Sequence, residues 1–133
     1  MGFIPQRIST VTLGTRRVGP LKTFCESWGW SGTAVGDGYV EFEMGGVRLA
    51  ICDYEILLAE APGTESPSPL SWNGVVLSIN VDSRQAVDEV PAVAAGARDI
   101  TAPVQRDWGG YSGYVTDPEA HRWEIAWAPG AAQ

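Results

Sequence analysis

Between Ile8 and Gly14 the chain alternates Ile8, Thr10 and Thr12 with Val11 and Leu13, a period-two pattern rich in β-branched residues that predicts a strand. Val18, Leu21, Phe24, Cys25 and Trp28 then recur at three- and four-residue spacing. They predict one amphipathic helix, stopped at Gly29. A strand is expected over residues 31–36, and two more run from Gly38 to Met44 and from Val47 to Cys52, joined across Gly45-Gly46. Glycine there permits the positive φ of a tight hairpin. The alternation stops at Glu55. A short apolar piece, Ile56 to Ala59, gives way to a Pro- and Ser-rich run that reads as a linker over about residues 55–71.

The same order then begins again. A strand is predicted from Val75 to Val81, then a cap at Asp82 or Ser83, then a helix carrying Val87, Val90, Val93 and Ala94 that Pro91 should kink or divide. Ile100–Val104, Gly110–Thr116 and Arg122–Trp127 complete the second set of strands. Strand, helix and about three strands therefore occur twice, in modules of about residues 8–52 and 73–128. Neither half-covered sheet can bury its apolar side alone, so a single α+β domain over residues 1–133 is expected.

Composition narrows the options. The chain has 133 residues, of which 44% are hydrophobic and 19% charged, which is the balance of a folded domain rather than a disordered tail. A formal charge of −7 with no Lys/Arg run argues against nucleic acid as a partner, and favours a basic or zwitterionic small ligand over an anionic one. Cys25 and Cys52 are too few for a disulfide framework. No window has the apolar length of a signal peptide or a membrane span, so a cytoplasmic protein without a membrane partner is expected.

The run Trp108-Gly109-Gly110-Tyr111-Ser112-Gly113-Tyr114, followed by Asp117-Pro118-Glu119-Ala120-His121-Arg122-Trp123-Glu124, resembles the closing hairpin of vicinal oxygen chelate proteins, the glyoxalase, bleomycin-resistance and extradiol dioxygenase-like superfamily. Their usual form is Asp-Pro-x-Gly-His, an apolar residue and Glu. Phe24-Cys25 and Trp28-Gly29 are similar to the end of that family's first helix. The departures are Cys25 where the family prefers Tyr and Ala120 where it prefers Gly. The resemblance covers nearly the whole chain and implies two βαβββ modules forming a curved mixed sheet, with a concave ligand cleft, helices on the outer face, and a homodimer.

Strand parity separates the two faces. Val11, Leu13, Leu49, Ile51, Val75, Leu77, Ile79, Val81, Trp123, Ile125 and Trp127 suit packing under helices. The cleft is then left to Thr10, Thr12, Arg48, Ala50, Cys52, Val76, Ser78, Asn80, Arg122, Glu124 and Ala126. A two- or four-residue hairpin at Gly45-Gly46 adds Glu41, opposite Ala50, and Glu43, opposite Arg48. Ser112, Tyr114 and Thr116 join them if Val115 packs inward, and Trp108 and Tyr111 are candidates for an aromatic lip over a planar ligand.

Metal-dependent members of the family carry a His or Glu on the first and last strand of each module. By the matching motifs those places are Thr10, Ala50, Val76 and Glu124, and only Glu124 is a strong ligand, so no metal or other cofactor is expected. His121 reads as a structural turn residue. Glu124 is either a ligand contact and candidate catalytic group or a carboxylate paired with Arg48 or Arg122. The leading functional expectation is a metal-free protein that binds a small organic molecule through Thr10, Glu41, Arg48, Cys52, Ser78, Asn80, Trp108, Tyr111, Tyr114, Arg122 and Glu124. The alternatives are an isomerase or lyase using a cleft carboxylate as general acid or base, and a metalloenzyme built on Glu41, Glu43 and Glu124.

Overall fold

The computed structural model describes residues 2–61 and 72–130. Its first sheet comprises β1 (Thr10–Thr15), β2 (Gly32–Ala34), β3 (Tyr39–Glu43) and β4 (Arg48–Asp53) in the order β1-β4-β3-β2. The parallel β1/β4 pair is possible because α1 (Val18–Glu26) is part of the return connection; the other pairs are antiparallel. The hairpin register sets Glu41 against Ala50 and Glu43 against Arg48, as the two-residue turn requires.

The second module repeats this plan. β5 (Val76–Asn80) runs parallel to β9 (Arg122–Trp127), and β8 (Tyr111–Thr116) is antiparallel to β9. The helix between them starts at Ser83, whose hydroxyl accepts from the Ala86 amide at 3.1 Å. It is divided at Pro91 into α3 (Arg84–Glu89) and a 3-10 turn (Pro91–Val93). The strand expected over residues 100–104 is instead two short pieces on β8, β6 (Asp99–Ile100) and β7 (Val104–Gln105). Pro103 has no amide hydrogen for a ladder there, and Thr101 bonds to Tyr114 through its side chain as well as its backbone.

One apolar cluster serves both sheets. Leu21, Phe24 and Cys25 of α1 pack on Leu13, Val40, Phe42, Leu49 and Ile51, and the cluster continues into Val115 and Trp123 of the second module. Trp123 has ring centroids 5.5 Å from Trp28, 5.8 Å from Trp30 and 6.0 Å from Phe24. Burial pushes the Cys25 thiol up to about 12, with the Asp117 charge adding to it, so this cysteine is an un-ionised core residue. The two sheets are thus joined through their helix-side faces.

The linker expectation needs correction. Residues 54–60 form a helix, α2 (Tyr54–Glu60), with the Asp53 carboxylate accepting from the Glu55 amide at 2.8 Å as its N-cap. Residues 62–71, the Pro/Ser-rich part, lie outside the described residues. Unlike α1, α2 lies on the cleft side of the first sheet. A Cβ at Gly14, whose parity is that of Thr10 and Thr12, would overlap the Tyr54 ring and stand 3.1 Å from Leu57 Cδ1. Glycine inside a strand here marks the close approach of another element. No helix among the described residues is long and apolar enough to cross a membrane.

Candidate functional site

Between the edge strands β1 and β5 lies a cavity of about 330 Å³. Val11, Thr12 and Gly14 form one side, Val75 and Leu77 the other; Tyr54 and Leu57 of α2 wall one end, and the turn Glu119–Arg122 adds to the lining. α2 therefore makes the cavity, and sequence reading missed it because seven residues give too little periodicity to stand out beside a Pro/Ser-rich run. Its available signals were Asp53 as a cap and the apolar Ile56-Leu57-Leu58.

The β8–β9 turn is the clasp between the modules. Asp117, with no exposed surface, accepts from the Trp123 indole at 3.0 Å and from the backbone amides of Glu119 at 2.8 Å and His121 at 3.0 Å. The His121 ring spans outward from it, Nδ1 lying 3.0 Å from Asp117 Oδ2 and Nε2 3.0 Å from the Gly14 carbonyl. Both partners are acceptors, so the doubly protonated ring satisfies both contacts. Glu119 reaches across in parallel, accepting from the Thr15 hydroxyl at 2.5 Å and the Arg16 amide at 2.7 Å. Ala120, where the resembled motif has Gly, sits in the same turn at φ 72°.

Burial alone would lower the His121 pKa, but the hydrogen bond and charge of Asp117 and the Gly14 carbonyl outweigh it and hold the ring above its ordinary 6.5. The stabilisation is complete below the unfolded value and is lost as pH rises through the elevated folded value. Urea unfolding on the alkaline side of neutrality should therefore show falling stability that His121→Gln flattens. Identical pH profiles for the two proteins would contradict the charged clasp.

Thr10, Glu41, Arg48, Ser78, Asn80, Tyr114, Arg122 and Glu124 all have the strand parity of the cleft side. Of these, the register brings Ser78, Glu124 and Tyr114 together across β5, β9 and β8, and the Ser78 hydroxyl donates to Glu124 Oε1 at 2.9 Å. The pairing of Glu124 with Arg48 or Arg122 is not what forms: Arg48 pairs with Glu43 at 3.2 Å, and the Arg122 guanidinium lies 4.3 Å over the Trp72 ring. Glu41 accepts from the Tyr39 hydroxyl at 2.8 Å.

Two further placements are corrections. Tyr111 is on the helix side, because it shares parity with Gly113 and Val115, and its hydroxyl donates to Asp88 of α3 at 2.6 Å. Cys52 is 2% exposed and pairs with Gly14 on the strip beside α2, so it does not present its thiol to a cleft. Trp108 is exposed, its ring folded against Gly110 of its own loop. Arg106 went unnoticed in the sequence: it donates to the Ser112 hydroxyl at 2.9 Å and carbonyl at 3.0 Å, and its guanidinium lies 5.5 Å from the Tyr114 ring centroid.

The family's metal places do not fit a metal here. Thr10, Ala50 and Val76 offer one hydroxyl, a methyl and an isopropyl beside the Glu124 carboxylate, and no group of three potential His, Cys, Asp or Glu ligands occurs among the described residues.

No protein-family model matches the sequence, and no curated protein matches it. Solved structures do. A glyoxalase-related enzyme from Fulvimarina pelagi is 26% identical with a TM-score of 0.86 over 94% of this chain and 90% of its own. A glyoxalase/bleomycin resistance protein/dioxygenase family enzyme from Burkholderia phytofirmans PsJN is 23% identical, with a TM-score of 0.73 over 90% of this chain and 97% of its own. Lactoylglutathione lyase from Agrobacterium tumefaciens is 19% identical, with a TM-score of 0.63 over 92% and 94%. With its paired strand–helix–strand modules and its Asp117–Glu124 hairpin, the chain has the fold of the glyoxalase/bleomycin resistance/dioxygenase proteins and is similar to members of the vicinal oxygen chelate superfamily.

Proposed function

We propose that this protein is a metal-free, glyoxalase/bleomycin resistance-like binder that holds a small organic molecule in the cleft between its modules, as a cytoplasmic homodimer. The observation that carries the reading is the donor set at the family's four metal places, where only Glu124 can ligate strongly. Beside that cleft, the seam between β1 and β5 holds a shaped cavity of about 330 Å³, a size suited to binding a small molecule. Ser78, Glu124 and Tyr114 supply polar groups on the cleft side, and the seam cavity beside β5 supplies apolar surface.

Elemental analysis of protein incubated with zinc, nickel or iron and then desalted should find far less than one equivalent of any of them. About one bound metal per chain would overturn the reading. A fragment screen read by amide chemical shifts should place its hits on the cleft side of β1, β5 and β9. Hits only on the outer helices would count against a cleft binder.

A further inference from the structure

We infer that the cavity at the β1–β5 seam is a site for a small monocarboxylate with an apolar body, its carboxylate held by Arg122 at the exposed rim. The inference rests on the ligand-binding reading above and specifies the ligand's chemistry. Val11, Leu57, Val75 and Leu77 give the cavity apolar walls. At about 330 Å³ it stands at the low end of small-molecule sites, roughly 300–1,000 Å³, which suits one ring with a short chain.

The polar groups sort by what they have left to offer. The two nitrogens of His121 are engaged by Asp117 and Gly14, Glu119 Oε1 accepts from Thr15 and Arg16, and Asn73 Oδ1 accepts from the Val75 amide at 3.0 Å. Those contacts belong to the protein's own loops. Among the described residues, donors remain: the Asn73 amide nitrogen, the Tyr54 hydroxyl, and above all the Arg122 guanidinium. Burial, first, and the nearby Glu119 charge raise the Tyr54 pKa, keeping its O–H a donor. Arg122 makes no ion pair among the described residues; it is stacked on Trp72. A cation–π contact engages the face of a guanidinium and does not consume its in-plane N–H groups, which can still donate to a carboxylate.

A surplus of donors calls for a ligand that brings acceptors. The overall charge of −7 favours a cation, but dispersed surface charges are screened beyond about 8 Å at physiological salt. Arg122, the cation in the cavity's lining, sets the sign locally.

The test uses phenylacetate, neutral phenylacetamide and cationic phenethylamine against the isotope-labelled full chain. Saturable amide shifts with phenylacetate are expected at Gly14, Leu57, Ala120 and Arg122. Phenylacetamide should bind about tenfold more weakly, and Arg122→Gln, an exposed and structurally mild change, should weaken phenylacetate by about tenfold. Phenethylamine should give no saturable shift there. Leu57→Trp, which fills the cavity, should abolish binding; should it fail to fold, Arg122→Gln still decides. Equal or tighter binding of phenethylamine overturns the carboxylate assignment, as does the absence of saturable binding by phenylacetate. Phenylacetate shifts centred on Ser78 and Glu124 overturn the seam location while leaving a cleft binder standing. The fragment screen and metal analysis decide that broader reading independently.

Discussion

Asp117→Ala is expected to lower the unfolding free energy by about 3–5 kcal/mol, the largest loss of any single substitution proposed for this chain. The carboxylate has no exposed surface and accepts from the Trp123 indole, the His121 ring and two backbone amides. Alanine leaves those donors without partners in a place water does not reach, and deprives a protonated His121 of its counter-charge. Asp117→Asn should fall between, since it keeps the volume but turns one acceptor into a donor facing other donors. Urea unfolding with an unchanged m-value reads the difference. A loss below about 1 kcal/mol for the alanine variant would mean that the clasp is not structural.

Gly14→Val is expected to have the second largest effect, because it acts on stability and on the cavity together. Valine favours a strand on its own account, so any penalty must come from what lies above it. Its Cβ would overlap the Tyr54 ring and crowd Leu57, so α2 must lift or repack, at a cost of about 1–3 kcal/mol. The wall it forms would go with it. Hydrogen exchange should show the amides of residues 54–60 losing protection while those of β3 keep theirs. Unchanged protection in α2, or unchanged ligand affinity at the seam, would contradict the role given to Gly14.

What the sequence made legible was whatever depends on near neighbours. Alternation of Val11 and Leu13 with Thr10 and Thr12 located β1 and its buried face, and the glycine pair fixed the register of Glu41 and Glu43. Pro91 divided the second helix where its missing amide required. What was not legible came from distance in sequence. The contact of His121 with Gly14 and of Glu119 with Thr15 joins residues more than a hundred positions apart, and no local pattern announces it. Tyr111 was misplaced for a different reason: it was read with Trp108 as an aromatic lip, although the parity that buries Val115 already sets it on the helix side. A pairing of Glu124 with Arg48 or Arg122, one of the two readings of that carboxylate, rested on charge alone, and the structure gives the two arginines Glu43 and Trp72 instead.

The clasp also bears on the order of events during synthesis. Thr15 and the Arg16 amide, at the junction between the first strand and the first helix, take their anchor from Glu119, and Trp123 completes the aromatic cluster around Trp28 and Trp30. The first module therefore emerges from the ribosome with its opening loop untethered and part of its core uncovered, and closes only after the last hairpin has been made. Loop closure over such a separation is slow compared with local pairing. A nascent chain arrested before residue 117 should accordingly be open to proteases and chaperones along its whole length, rather than carrying a finished first half.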